Sequence, residues 1–146
     1  MSRFFHISEA RSLLPFVGRT LREAAQASER HAAAERYLQD LARRIILMGG
    51  ISVDTAAVEN WKQQLESSDR VLQAALARID EAGVLIKDLA TGLVDFPTMF
   101  LGEEVYLCWR MDEDDIGHWH GVHEGFAGRR EIDSVFLDNH RGSELA

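Results

Sequence analysis

Three histidines and a glutamate near the C-terminal end of the chain offer the ligands that transition metals prefer. They are His118, His120, His123 and Glu124. Alternate side chains of a β-strand point to the same face, so His118 and His120 would face the same way on an extended segment. Both imidazoles would then reach one ion, with His123 or Glu124 completing the set from the following loop. The pattern makes a divalent transition metal the candidate cofactor, and the cofactor is otherwise unknown. The alternative is that His120 is hydrogen-bonded inside the sheet while His118 and His123 are exposed to solvent.

Two residues earlier in the chain offer further metal ligands. Cys108 or Asp95 would add a ligand from a neighbouring strand. With His120 they also suggest catalysis, because a Cys–His pair makes a thiolate nucleophile and a histidine with a carboxylate acts as a general base. The plainer alternative is a histidine hydrogen-bonded inside a sheet and a cysteine buried as a small hydrophobe. No recognised catalytic motif is present, so we favour a protein that is not an enzyme and name no catalytic residue.

A glycine-containing loop with two arginines suggests a third kind of site. The segment reads Gly125-Phe126-Ala127-Gly128-Arg129-Arg130. Glycines let backbone N–H groups approach a ligand, and arginines bind phosphate or carboxylate groups. The alternative is that nearby acidic residues pair with the arginines. The candidate residues for a bound anion or phosphate ligand are Asp95, Arg110, Arg129 and Arg130.

The segments that carry these residues follow each other in a distinctive order. A Gly-Leu-Val-Asp-Phe-Pro run at 92–97 precedes a Val-Tyr-Leu-Cys-Trp strand at 105–109, the Trp119-His120 pair and the Gly-Phe-Ala-Gly-Arg element at 125–129. This order resembles an uncharacterised prokaryotic family, domain of unknown function 2203. The resemblance covers nearly the whole chain and implies no activity, substrate or cofactor. Matching residues are Asp88, Gly92, Asp95, Pro97, Trp109, Arg110, Trp119, His120, Gly125, Gly128 and Arg129.

The first half of the chain shows helical periodicity. Apolar positions alternate in steps of three and four from Ala24 to Met48 and again from Val58 to Ala82, which is a heptad pattern. Gly49-Gly50 separates the two segments, so we predict an antiparallel helical hairpin folded at these glycines. Folding there would pair Leu41 with Leu65 and Ile45 with Trp61. His31 falls in the first seam, where a polar residue helps to fix the register.

The ends of the helices also have sequence signals. Ser8 is a good N-cap for a first helix, and Ser52 or Asp54 for the second. Pro15 opposes a continuous helix, so we expect a short N-terminal helix with a kink or break near Leu13-Leu14. Gly83 should end the second helix.

After Gly83 the periodicity changes to that of β-strands. Val84 to Ile86, Leu93 to Phe96 and Ile116 to His120 read as short strands, with Pro97 at a strand end. In the best strand, Val105, Leu107 and Trp109 face one way and Tyr106, Cys108 and Arg110 the other.

These signals predict an α+β protein with a long antiparallel helical hairpin and a small antiparallel β-sheet of about three strands. We expect a single structural unit over residues 1–146, with the hairpin in 1–82, the β unit in 83–132 and a tail in 133–146.

The absence of a long apolar run and the single Cys108 favour a cytoplasmic protein. Residues 83–146 hold 13 acidic and 5 basic residues, which argues against a nucleic-acid partner, and nothing suggests a membrane partner.

The strongest pattern in the sequence is the pair of matched heptad seams. We therefore expect an interaction or scaffold protein that forms a homo-oligomer, most simply a dimer, through its helices and holds a protein partner. The alternatives are a metal-binding protein or metalloenzyme that uses the C-terminal histidines, and a protein that binds anions at the Gly/Arg loop.

Overall fold

The computed structural model describes residues 3–143 and confirms an α+β architecture with a long helix pair followed by an antiparallel sheet. The helices are α1 (Ile7–Met48), α2 (Thr55–Glu81) and α3 (Ser134–Asn139). The strands are β1 (Leu85–Asp88), β2 (Leu93–Phe100), β3 (Glu103–Arg110), β4 (His118–Gly121), β5 (Arg130–Glu131) and β6 (His140–Arg141). The chain forms two compact units: a helical unit of residues 22–76, and a sheet unit that combines residues 3–21 with 77–143.

Within the helical unit, α1 and α2 pack in a register that differs from the predicted one. The rings of Tyr37 and Trp61 stack with their centroids 4.9 Å apart. The predicted partner of Trp61, Ile45, is 39% exposed instead. The pairing of Ile45 with Trp61 is therefore wrong, because the α1 residue that meets Trp61 is Tyr37, about two helical turns before Ile45. The loop over residues 49–54 returns the chain from the end of α1 to the start of α2.

The start of α1 differs in two ways from the sequence prediction. Ser8 is not the N-cap, since the helix begins at Ile7. His6 takes this part: its Nδ1 accepts from the backbone N–H of Ser8, and its own N–H donates to the Glu9 carboxylate at 3.1 Å. This exchange satisfies free N–H groups of the first turn. The predicted break near Leu13-Leu14 is also wrong, because α1 continues through Pro15 as one helix.

The other helix ends follow their sequence signals. At the end of α1, Gly49 adopts φ +69° and the N–H of Gly50 donates to the carbonyl of Ile45. Asp54 caps α2, with its Oδ1 accepting from the N–H of Ala57 at 3.1 Å. Gly83 ends α2 with φ +86°. A residue without Cβ adopts such positive angles without steric cost, which explains both glycine positions.

The sheet contains more strands than the expected three. Its order is β1-β2-β3-β4-β5, all antiparallel, and the two-residue β6 pairs with β2 on the same edge as β1. Pro97 lies inside β2 rather than at a strand end. Its carbonyl accepts from the N–H of Phe5 at 2.7 Å, on the side away from β3. The missing N–H of proline therefore removes no hydrogen bond from the β2–β3 ladder.

The two faces of β3 have the composition that alternation predicts. Val105, Leu107 and Trp109 belong to the hydrophobic core of the sheet unit. The start of α1 supplies further core residues, including Phe5, whose ring meets Phe96 edge to face at 5.3 Å. The opposite face of the sheet carries the polar residues of the candidate site.

Residues 133–143, expected to be part of a tail, contain α3 and β6. Asp133 caps α3 by accepting from the N–H of Phe136, whose side chain is fully buried. The N–H of Ser143 donates to the carbonyl of Phe4 at 2.8 Å, and the Ser143 hydroxyl accepts from the N–H of Phe4. The beginning and end of the described chain are therefore joined by hydrogen bonds.

Candidate functional site

Three strands bring Asp95, Cys108 and His120 together on the polar face of the sheet. Asp95 of β2 lies directly opposite Cys108 of β3, and His120 of β4 lies opposite Tyr106, two residues before Cys108. One ligand atom from each of Asp95, Cys108 and His120 lies within 4.8 Å of the other two. This triad, as we call the three residues below, is the one group of metal-ligating side chains found within residues 3–143.

The hydrogen bonds of His120 fix the orientation of its ring. Nδ1 lies 2.8 Å from the carbonyl oxygen of Gly121, and Nε2 lies 2.9 Å from Oδ1 of Asp95. A carbonyl oxygen only accepts, so Nδ1 must carry a proton. The hydrogen bond between Nε2 and Asp95 then holds one proton, which either atom can keep. Removing that proton would leave Nε2 as a free ligand directed at the other two residues.

Burial dominates the acid–base properties of Asp95 and Cys108. The side chains of His120 and Asp95 are only 3% and 1% exposed, and Cys108 is fully buried. Burial raises the pKa of Asp95 above its usual 3.8, although the nearby His120 and Lys87 oppose the shift. Burial and the Asp95 charge raise the pKa of the Cys108 thiol to about 12. The thiol is therefore protonated at neutral pH, which disfavours a thiolate nucleophile.

An ion pair lies next to the triad. Arg129 donates from Nη2 to Oε1 of Glu113 at 2.6 Å and to the backbone carbonyl of Cys108 at 3.4 Å. His118, opposite Cys108 in β4, has its Nδ1 3.7 Å from the second oxygen of Glu113. In the described part of the chain, three buried polar atoms have no hydrogen-bond partner: Asp95 Oδ2, His118 Nδ1 and Arg129 Nε. All three belong to this face of the sheet.

The four residues of the predicted histidine site are placed differently from one another. His118 and His120 share a face of β4, but His120 alone belongs to the triad. His123 is exposed and lines an open cavity of about 820 Å³ with Trp119. The Glu124 carboxylate accepts from the N–H of Gly121 at 2.9 Å and from Arg130 at 2.7 Å. These two hydrogen bonds hold the loop after β4 in place.

The predicted anion-binding arginines each pair with an acidic side chain. Arg110 donates to Asp112 at 2.6 Å, Arg129 pairs with Glu113, and Arg130 pairs with Glu124. The guanidinium groups of Arg110 and Arg129 also lie over the ring of Phe126, at 5.4 and 4.6 Å from its centroid. The Gly/Arg loop is thus held to the sheet by charge pairs and by cation–π contacts.

The donor set of the triad fits a divalent transition metal. A thiolate, an imidazole and a carboxylate suit zinc and its neighbours in the first transition series. Two anionic ligands would neutralise a doubly charged ion, which matters in a buried site. The hydrogen bond from Nδ1 of His120 to a backbone carbonyl is the usual support of a metal-bound histidine. The unpartnered Oδ2 of Asp95 offers a further free lone pair.

Sequence reasoning did not connect Glu113 with the site. Glu113 lies in a run of four acids after β3 that reads as a solvated turn, yet its carboxylate accepts from Arg129 and from the backbone N–H of Arg110. No sequence signal could have shown this, because residue spacing does not reveal that the turn after β3 folds back over the strand.

Comparison with known families identifies the relatives of the chain. Residues 3–132 match the model of a family described as Uncharacterized conserved protein (DUF2203). The chain belongs to this family. No curated protein and no solved structure matches the chain, so the family supplies no activity by comparison. All residues of the triad and its neighbouring ion pair lie within the matched part.

Proposed function

We propose that this protein binds a divalent transition metal, with zinc the best fit, through Asp95, Cys108 and His120. The observation that supports the proposal is the orientation of His120. Its Nδ1–H is committed to the Gly121 carbonyl, and its Nε2 is directed into a buried space that also holds a carboxylate and a thiol. A structural hydrogen bond alone would not require a cysteine in the same place.

The bound ion would hold three strands of the sheet together. Each ligand comes from a different strand, β2, β3 or β4, so one ion would replace the proton between Asp95 and His120 and the proton of the thiol. Enclosed zinc sites with such ligands contribute directly to folding stability. We propose His118 as the fourth ligand after a side-chain rotation, because its Nδ1 is unpartnered and it lies opposite Cys108.

The test uses protein purified without an affinity tag. Elemental analysis should give close to one transition-metal ion per chain. Co²⁺ added to metal-free protein should produce the near-ultraviolet absorption of a thiolate bound to cobalt. Cys108→Ser should abolish this absorption, and His120→Ala should strongly weaken binding. His123→Ala is the matched control, because this histidine is exposed. Substoichiometric metal in the wild type, or equal binding by Cys108→Ser, would refute the proposal.

A second proposed function is an interaction or scaffold role in the cytoplasm, with the chain forming a homo-oligomer through its helices. The supporting observation is a run of exposed apolar side chains at the end of α1, from Ile45 to Met48. None of the helices in residues 3–143 is long and apolar enough to span a membrane. Light scattering with chemical cross-linking tests this role, and a protein that stays monomeric at high micromolar concentration would contradict it.

A further inference from the structure

The end of the helical unit carries an unusual amount of exposed apolar surface. Ile46, Leu47 and Met48 are 79%, 75% and 65% exposed. Consecutive residues of an α-helix lie about 100° apart, so these three side chains surround the helix rather than form one stripe. A helix end that is apolar on all sides is typical of a buried segment. We call residues 43–59, which contain this run, the tip.

The register of the helices explains why the run is uncovered. With Tyr37 against Trp61, Arg43 lies level with Thr55, the first residue of α2. The residues of α1 after Arg43 therefore extend past the start of α2 and have no facing helix among residues 3–143. The apolar run begins two residues later, at Ile45, where α2 no longer lies alongside α1.

The charges of the tip are divided between its two helices. Arg43 and Arg44 are exposed on α1, and Asp54 and Glu59 are exposed at the start of α2. Across residues 3–143, no ion pair engages any of these four groups. Each chain thus presents a basic and an acidic group of side chains beside one apolar surface, with the Asp54 carboxylate also capping α2.

We infer that two copies of this chain associate through their tips about a two-fold axis. The inference rests on the second proposed function and specifies its surface. In such a symmetric interface each copy uses the same surface, so the basic side of one tip meets the acidic side of the other. The apolar runs from Ile45 to Met48 pack against each other at the centre. A second copy fits better than an unrelated partner, because one chain carries both halves of the complementary charge pattern.

Sedimentation equilibrium of the full chain, from low to high micromolar concentration, tests the interface. The wild type should dimerise, and Ile46→Asp with Leu47→Asp should weaken dimerisation at least about tenfold, because charges would enter an apolar contact. Val135→Asp is the matched control, since Val135 is an exposed apolar residue of the sheet unit at 58% exposure. It should leave dimerisation unchanged. Circular dichroism verifies that each variant stays helical.

A charge exchange distinguishes the proposed surface from other helical contacts. Arg43→Glu with Arg44→Glu should weaken the dimer, and adding Glu59→Arg to the same chain should restore at least part of it, because basic and acidic side chains would again face each other. Asp54 is kept in all variants, because its carboxylate caps α2. A dimer that is unaffected by all tip variants would overturn this interface while leaving a homo-oligomer intact. A monomeric wild type would overturn both. Restoration also excludes an unspecific apolar contact or adsorption to lipid, which does not depend on charge order.

Discussion

Nε2 of His120 lies 2.9 Å from Oδ1 of Asp95, and the side chains of both residues are almost fully buried. Removing one partner leaves the polar group of the other buried without a hydrogen-bond or charge partner. We expect His120→Ala to lower the free energy of unfolding of the metal-free protein by about 3–5 kcal/mol.

Asp95→Asn should cost less, about 1–2 kcal/mol, because the amide is neutral and still fills the space. Urea unfolding of both variants measures the difference. A His120→Ala variant within about 1 kcal/mol of the wild type would mean that the pair contributes little to stability.

The Cys108 thiol should resist alkylation in the folded, metal-free protein. Its pKa is raised to about 12 by burial and by the Asp95 charge, so very little thiolate exists at pH near 8. Because the thiolate is the reactive species, iodoacetamide should react about a thousandfold more slowly than with the unfolded chain. Mass spectrometry follows the reaction, with the same protein in urea as the control. A folded-state rate within about tenfold of the unfolded one would contradict the burial of this thiol.

His140 should make the protein sensitive to mild acid. Its Nε2 accepts from the N–H of Ile7 at 3.1 Å, and its Nδ1 lies 3.1 Å from the carbonyl of Phe136. Burial chiefly, with the nearby His6 and Arg11, lowers its pKa below 6.5. The folded state therefore binds fewer protons than the unfolded state, so this contribution is complete above pH 6.5 and is lost as the pH falls through the lowered pKa.

His140→Gln keeps an acceptor for Ile7 and removes the titration. Between pH 7.5 and 5 we expect the wild type to lose stability relative to this variant, measured by urea unfolding. Asp95 titrates with the opposite sign, because its pKa is raised, but it is present in both proteins and cancels. Parallel stability curves for the two proteins would show that His140 does not titrate on unfolding.

The register of the helical unit can be measured by a double-mutant cycle. Tyr37→Ala, Trp61→Ala and the double variant should show a coupling energy of about 0.5–1.5 kcal/mol, because the two rings stack. The same cycle for Ile45 and Trp61 should be additive within about 0.5 kcal/mol. Coupling between Ile45 and Trp61 instead would restore the register that the heptad pattern predicts.

The heptad pattern identified the helices but could not set their register. Every heptad position repeats, so sliding α2 along α1 by two turns keeps apolar side chains in contact. Gly49-Gly50 suggested a tight turn, yet only the first helix ends there and Asp54 caps the second six residues beyond Met48. The stacking of Tyr37 on Trp61 is a tertiary contact, and Tyr37 lies outside the predicted seam.

The sheet was more predictable where alternation applies. The two faces of β3 and the shared face of His118 and His120 follow from the period of a strand. The size of the sheet did not, because β5 and β6 have two residues each and carry no periodicity. For the triad, sequence spacing suggested the candidate residues, but only the pairing of β2, β3 and β4 selects Asp95, Cys108 and His120 from the larger set.

Hydrogen bonds between Phe4 and Ser143 have a consequence for synthesis on the ribosome. The sheet unit combines residues 3–21 with residues 77–143, so its first segment must wait until residues 77–143 have been translated. Phe5 and Pro97 cannot pair before β2 leaves the exit tunnel, and Phe4 must wait for Ser143. Residues 22–76 are free of this delay. The helical unit should therefore form first, and the sheet should close only after residue 143 has left the exit tunnel.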